Sequence, residues 1–431
     1  MDAFVIEGGR RLKGTVRVAG SKNAALPAMA AVLAAEGPVT LLDVPHLSDI
    51  DNMARLLAEL GVKIERDTSG GTMKMQVVDE GLSTARYDIV RTMRASICVL
   101  GPMLAKRGKA VVSMPGGCAI GDRPIDLHLR GLRALGAEIN LEGGNVIATA
   151  KRLRGARIFL GGPFGSTVLG TANVMSAAVL AEGTTVIEQA ACEPEVADLA
   201  NLLIAMGARI SGAGTPRITI EGVSKLRGVE HRIIADRIEA GTLLCAAAIT
   251  NGDVTVENCP IDAMAAVIDR LEAVGVHIDA NGSTDPMRAT VNVTCARRLD
   301  PITVTTQPHP GFPTDLQAQI MALLTLADGN SIITEKVFPE RFLHVAELSR
   351  MGAEMYRQGP TVMVIGVKKL VGAPVMASDL RASAGLVVAA LAARGITTIN
   401  RVYHLDRGYD KLEQRLNALG ASIERINVPG A

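Results

Sequence analysis

Apolar and polar positions along this chain fall into one phrase that recurs six times. A stretch of helical period ends in Leu or Met, passes through Gly to Ala or Val, and continues as alternating, strand-like residues. It reads LAELGVKI, LRALGAEI, IAMGARI, LEAVGVHI, SRMGAEM and LNALGASI, with the glycines at Gly61, Gly136, Gly207, Gly275, Gly352 and Gly420. They lie 75, 71, 68, 77 and 68 residues apart, a period that marks a repeated supersecondary unit. Each glycine falls where a helix C-cap in the left-handed region is expected. Upstream of each lies a second shared block, an apolar helix closing before a short strand: VLAAEGPVTLLDV, MLAKRGKAVVSM, VLAEGTTVIE, AITNGDVTVEN, TLADGNSIITE and LAARGITTIN. With a strand ahead of the first helix, each unit reads βαβαββ. The first helices, such as ASICVLGPMLA and AGLVVAALAA, are apolar nearly all round and are predicted to be buried. The second helices, such as DIDNMARLLAEL and YDKLEQRLNAL, are amphipathic and are predicted to lie outside. Such units make either a solenoid or closed rings of three. The varied loops and all-apolar inner helices favour two three-unit globules of α+β class.

The repeats also expose their own interruptions. From the Gly ending the first helix to the Gly ending the second is 24 residues in the first unit, Gly37 to Gly61, and 23 to 25 in the third to sixth. In the second it is 28, Gly108 to Gly136, and the excess falls within MPGGCAIGDRP. An insertion in an otherwise regular unit points to a specialised loop. This one places Gly116 and Gly117, Cys118 and Arg123 on a segment that can bend sharply.

A second irregularity lies at the starts of the inner helices. A helix N-terminus attracts anions and disfavours Lys and Arg that have no anionic partner. Yet the first unit opens GSKNAALP, with Lys22 and Asn23 behind Ser21 as the expected N-cap. The second opens VRTMRAS with Arg91 and Arg94, the fifth FPTD with Asp315, and the sixth ASDLRAS with Asp379 and Arg381. Local rules broken at equivalent positions mark function, here the binding of an anion in one cleft.

Composition narrows the class. Lys and Arg number 45 against 44 Asp and Glu, a net charge of +1, which excludes a nucleic-acid binder working through a broad basic face. The mean hydropathy is +0.26, but no apolar run reaches the roughly 18 residues of a membrane span. The opening MDAFVIEGGRR reads as a strand, not a signal peptide. Six Cys without framework spacing or CxxC indicate a reducing cytoplasm and no structural zinc.

Several blocks carry a resemblance: GSKNAALP at 20–27, YDIVRTMRASICVLGP at 87–102, PGGCAIGDRPIDLHLRGLRALGA at 115–137, LAEGTTVIEQAACEPEV at 180–196, HPGFPTDLQAQ at 309–319, ERFLHVAELSRMGAE at 340–354, SDLRASAGLV at 378–387 and HLDRGYDKLE at 404–413. Over essentially its whole length the chain resembles the enolpyruvyl transferases, and within them those that act on UDP-N-acetylglucosamine. The resemblance implies an inside-out α/β barrel in duplicate, each domain holding three units about a pseudo-threefold axis. It implies domains at 21–230 and at 1–20 plus 231–431, with the active site in the cleft between them. It implies phosphoenolpyruvate and UDP-N-acetylglucosamine as substrates, with no cofactor and no metal.

The same resemblance assigns roles. Cys118 is the acid that protonates the vinyl carbon and the site of a covalent phospholactoyl adduct, its thiol activated by Arg123 and Lys22. Lys22, Arg123 and Arg407 hold phosphoenolpyruvate, with Arg341 and Arg381 close by, and stabilise developing charge. Asn23 touches the reacting group and the sugar, and Arg94 the nucleotide sugar. Asp315 contacts the 3′-hydroxyl and is the expected base. Arg123, Pro124, Ile125, Asp126 and Leu127 clamp the uracil, and Val337 adds a contact to the nucleotide sugar. The match weakens at Gly161–Ser176, where Thr167 and Val168 fall on the diphosphate contact and the Lys common in the family is missing. Two other readings fit the same motifs: a paralogue acting on another alcohol such as shikimate 3-phosphate, and a sugar-nucleotide sensor without activity. Cys98 and Cys245, on apolar inner helices, are expected to be inert.

Overall fold

The computed structural model describes residues 2–67, 71–115, 124–280, 282–295 and 298–427. They divide into two compact units, one of residues 20–115 and 124–234 and one of residues 2–19 and 235–427. Each is built from three copies of the same motif, and each copy carries one four-stranded sheet. In the second copy the sheet runs Thr84–Ala85, Lys109–Ser113, Asn145–Thr149, Glu138–Glu142. The first pair is parallel and the other two are antiparallel. The third and fifth copies repeat this order, with Arg157–Phe159 and Thr303–Thr305 as their parallel edges. The recurring glycines behave as the sequence predicts. Gly61, Gly136, Gly207, Gly275, Gly352 and Gly420 have φ of 81°, 96°, 108°, 99°, 87° and 96°, a region in which a Cβ is strained.

Three copies complete their sheets from distant sequence. The first takes its opening strand from Glu230–Arg232, parallel to Val39–Leu42. The sixth corrects the expectation of six self-contained βαβαββ units. The place held by the last strand in the second copy is here filled by Asp2–Glu7, antiparallel to Ile396–Asn400 on one side and to Ile423–Asn427 on the other. Lys13–Arg17 then joins the fourth copy, parallel to Asp253–Cys259. Ion pairs pin both insertions. Arg425 meets Asp2 at 3.0 Å and Asp406 at 2.6 Å, and Arg415 bonds Glu239 and the Arg17 carbonyl.

The inner helices form the cores. In the unit of residues 20–234, Lys22–Ala31, Leu100–Arg107 and Val168–Ala178 pack on one another. Gly101 allows the closest approach, because a Cβ there would lie 2.1 Å from the Asn173 carbonyl oxygen. Buried Asn173 fastens the contact, accepting from Gly101 N at 2.6 Å and donating to the Ile97 carbonyl at 2.9 Å. In the other unit, Arg237–Ile249, Gln317–Leu324 and Leu380–Ala392 do the same. A buried polar knot ties that core. Thr242 Oγ1 and Tyr409 Oη lie 2.9 Å apart, and Gln319 Nε2 donates to them at 3.1 and 3.2 Å. Most of their other side chains are apolar and buried, so burial against one another drives their packing. Among the described residues no helix is long and apolar enough to cross a membrane.

Candidate active site

Four of the six inner-helix starts are capped by their own side chains. Ser21 accepts from Ala24 N, Thr167 from Gly170 N, Asp236 from Ile238 N and Glu239 N, and Asp379 from Arg381 N and Ala382 N. The other two starts are 3-10 turns, Arg94–Val99 and Thr314–Leu316, and the residues before them, Met93 and Pro313, provide no side-chain cap. Both belong to the middle copy of their unit. Arg94 and Asp315 therefore stand on helix starts of a different build from the rest. Arg91 does not share that place: it follows the short helix Tyr87–Val90, with its guanidinium 5.9 Å from the Tyr87 ring. The extended backbone at Met93, φ −148°, separates it from Arg94.

Lys22 opens its helix as expected, and its charge is matched from within the unit. Asp49, in the first turn of the outer helix Ser48–Glu59, approaches Lys22 Nζ at 3.3 Å, and both side chains are buried. This partner was not foreseen; it comes from another helix and no local spacing announces it. Asp49 is favoured where it sits by its own helix N-terminus. An incoming anion therefore meets a lysine already positioned by a carboxylate. Asn23 is next along the same first turn, half-buried.

The densest cluster surrounds Asp315. Arg341 Nη1 donates to Asp315 Oδ1 at 2.7 Å and Arg381 Nε to Oδ2 at 3.3 Å. The two guanidiniums are only 7% and 3% exposed, so each depends on this carboxylate for its compensation. Arg381 also faces the Tyr409 ring at 5.5 Å. Its Nη1 is buried and has no hydrogen-bond partner among the described residues. Arg341 is fixed a second time, donating to Thr314 Oγ1 at 3.1 Å, while Gln317 holds its carbonyl at 3.2 Å. Val337 lies on a turn gathered by Glu335, a residue the sequence reading missed. Asp315, Arg341 and Arg381 are thus brought together, and Val337 is joined to them through Glu335 and Thr314.

Other candidates are carried by other elements. Arg407 closes the 3-10 segment Val402–Arg407 and lies near His404, whose pKa is lowered by burial and by the Arg407 charge. Pro124 and Asp126 are exposed at the start of helix Asp126–Ala134, Ile125 is buried, and Leu127 is half-buried. The altered loop forms a small hairpin, Gly161–Gly162 against Gly165–Ser166. A Cβ at Gly162 would lie 3.2 Å from Leu127 Cδ1, so the hairpin rests on that helix start. Thr167 caps the next helix and Val168 begins it. Gly116, Gly117, Cys118 and Arg123 lie outside the described residues. Burial pushes the Cys98 and Cys245 thiols up to about 12, so both stay protonated and unreactive near neutral pH.

Each unit thus holds groups suited to chemistry on an anion or a hydroxyl: in one, a carboxylate whose orientation two buried guanidiniums fix, and in the other a lysine oriented by a carboxylate. Comparison with known proteins agrees. The family model described as EPSP synthase (3-phosphoshikimate 1-carboxyvinyltransferase) matches residues 6–416. Proteins named UDP-N-acetylglucosamine 1-carboxyvinyltransferase from Myxococcus xanthus and from an Anaeromyxobacter species are each 53% identical, over 99% of both chains. Among solved structures, the enolpyruvyl transferase NikO from Streptomyces tendae superposes with a TM-score of 0.89 at 26% identity, covering 99% of both chains. An EPSP synthase from Acinetobacter baumannii, at 21% identity and a TM-score of 0.76, shares the fold. That common architecture is the two-domain inside-out barrel, and this chain belongs to the enolpyruvyl transferase family.

Proposed function

We propose that the chain transfers the enolpyruvyl group of phosphoenolpyruvate to the 3′-hydroxyl of UDP-N-acetylglucosamine and releases phosphate, a step toward peptidoglycan precursors in the cytoplasm. The observation that carries this reading is the identity of 53% with proteins named for that reaction, across 99% of both chains. In the first half-reaction the sugar oxygen bonds to C2 of phosphoenolpyruvate while C3 takes a proton, giving a tetrahedral phospho-ketal. In the second, C3 loses a proton, the C2–phosphate bond breaks, and the enol ether and inorganic phosphate leave.

The residues divide that work. Asp315, oriented by Arg341 and Arg381, accepts the hydrogen of the 3′-hydroxyl. Lys22, Arg123 and Arg407 hold the phosphate and carboxylate of phosphoenolpyruvate, and Cys118 delivers the proton to C3 and carries the covalent adduct. Asn23 and Arg94 contact the sugar nucleotide beside the reacting centre. The segment from Arg123 to Leu127 holds the uracil, Thr167 and Val168 approach the diphosphate, and Val337 the nucleotide sugar. With Arg and Lys countering every charge that develops, electrostatic stabilisation is the main catalytic contribution.

Phosphate release with phosphoenolpyruvate and UDP-N-acetylglucosamine, read beside the mass of the sugar product, tests the reading. Turnover with both substrates, lost in Cys118→Ala while the variant stays folded, is the expected result. Turnover with shikimate 3-phosphate instead, or normal turnover in Cys118→Ala, would overturn it.

A further inference from the structure

Glu335 is a fully buried carboxylate, 0% exposed, at the end of the inner strand Asn330–Thr334. Its two oxygens serve different segments. Oε1 accepts from Thr306 Oγ1 at 2.7 Å, Val337 N at 2.8 Å and Phe338 N at 2.9 Å. Oε2 accepts from Thr314 Oγ1 at 2.9 Å. Thr314 in turn receives Arg341 Nη1 at 3.1 Å, and the same nitrogen reaches Asp315 at 2.7 Å. One buried carboxylate therefore ties together the turn that carries Val337 and the uncapped helix start that carries Asp315.

A carboxylate needs hydrogen bonds once it is buried, but a purely structural turn needs only the three donors on Oε1. The fourth bond runs away from that turn. It fixes the Thr314 hydroxyl hydrogen toward Glu335, which leaves the Thr314 lone pairs for Arg341. The direction of each bond in the chain Glu335–Thr314–Arg341–Asp315 is then set, because a carboxylate only accepts and a guanidinium only donates. We infer that Glu335 is a positioning residue for the transfer reaction: through Oε2 and Thr314 it holds Arg341, and with it the Asp315 carboxylate, in the orientation that meets the acceptor hydroxyl. The inference rests on the proposed enolpyruvyl transfer and adds to it a residue that touches neither substrate.

The two oxygens make the idea separable from a general role in folding. In Glu335→Gln the amide oxygen keeps the three donors of the Val337 turn. The amide nitrogen then faces Thr314 and can only donate, so the Thr314 hydroxyl loses its acceptor. Thr314→Val cuts the same link from the other side, and Thr314→Ser restores it. Steady-state phosphate release would be measured for wild type, the three single variants and the Glu335→Gln, Thr314→Val double variant. The assay temperature would lie well below every unfolding midpoint.

The expected result is a kcat about tenfold lower in Glu335→Gln and in Thr314→Val, since a misplaced reacting group costs roughly one to two orders of magnitude. KM for UDP-N-acetylglucosamine should stay within about twofold, Thr314→Ser should approach wild type, and the double variant should be no slower than the slower single. Wild-type kcat in Glu335→Gln, additive losses in the double variant, or a loss confined to the KM of the nucleotide would overturn the inference and leave the function standing. Absence of phosphate release in the wild type would overturn the function, and the positioning role with it.

Discussion

The helix starts at Ser21 and at Thr314 are the same element in two copies of one motif, and they are stabilised in opposite ways. At Ser21 the side chain caps the helix. The following Lys22 meets Asp49 at 3.3 Å. At Thr314 no side chain caps the helix. The Thr hydroxyl is instead drawn into a network with Glu335 and Arg341, and one carboxylate serves two buried arginines. The first start draws its cap from its own Ser21 and its charge partner from the outer helix. The second spends its local hydrogen-bonding groups on holding Asp315, and the buried Arg381 Nη1 is still without a partner there among the described residues. The contrast teaches that equivalent helix starts in a repeated fold can hold their functional charges by different means, one beside a capped helix end and the other through a buried network.

The largest expected effect sharpens that contrast. Asp315→Ala should lower kcat by about 10³-fold, the scale of losing a preorganised electrostatic group, as measured by phosphate release. Asp49→Ala should act chiefly on stability. It removes a carboxylate partner from a buried lysine at a helix N-terminus, for a loss of about 3 kcal/mol, read from urea unfolding. If Asp49→Ala cost nothing in stability, or Asp315→Ala nothing in rate, the division between the two starts would be wrong.

A third test uses pH. Burial pushes the His344 imidazole down to about 4, with Arg341 adding to the effect and Asp379 opposing it. Unfolding raises that value toward an ordinary histidine, near 6.5, so the unfolded chain binds the extra proton. Stability from this group is therefore complete above about pH 6.5. It falls as the pH drops toward about 4, by at most about 3 kcal/mol. Urea midpoints from pH 7.5 to 4.5 should show that slope in the wild type and lose most of it in His344→Asn. The smallest effect is that of a cap. Asp236→Ala removes the acceptor for Ile238 N and Glu239 N and should cost about 1 kcal/mol.

Features carried by local chemistry were legible in the sequence. The left-handed glycines, the Ser21 cap and the all-apolar inner helices follow from neighbouring residues and from period, and the structure has them. Pairings across long separations were not. Lys22 and Asp49 are 27 residues apart on different helices. Nothing in ITEKVF (333–338) distinguishes Glu335 from an exposed turn residue, because its burial depends on Thr306 and Thr314 arriving from elsewhere. Arg91 and Arg94 looked equivalent, and one extended residue at Met93 separated them. The resemblance implies that residues 1–20 join the second domain, but the register that sets Asp2–Glu7 beside Ile423–Asn427 has no local signal and is seen in the paired sheet.

That inserted strand has a consequence for how the molecule is made. Asp2–Glu7 is synthesised long before its partners at Ile396–Asn400 and Ile423–Asn427. At ordinary synthesis rates the strand waits on the order of tens of seconds before it can be paired. Residues 20–234 hold all three of their sheets within one continuous stretch of chain, so that unit can mature while translation is still under way. An alternating apolar strand with both edges open is a template for the wrong neighbour. During those seconds this strand is the segment on which a holdase chaperone would have most to protect.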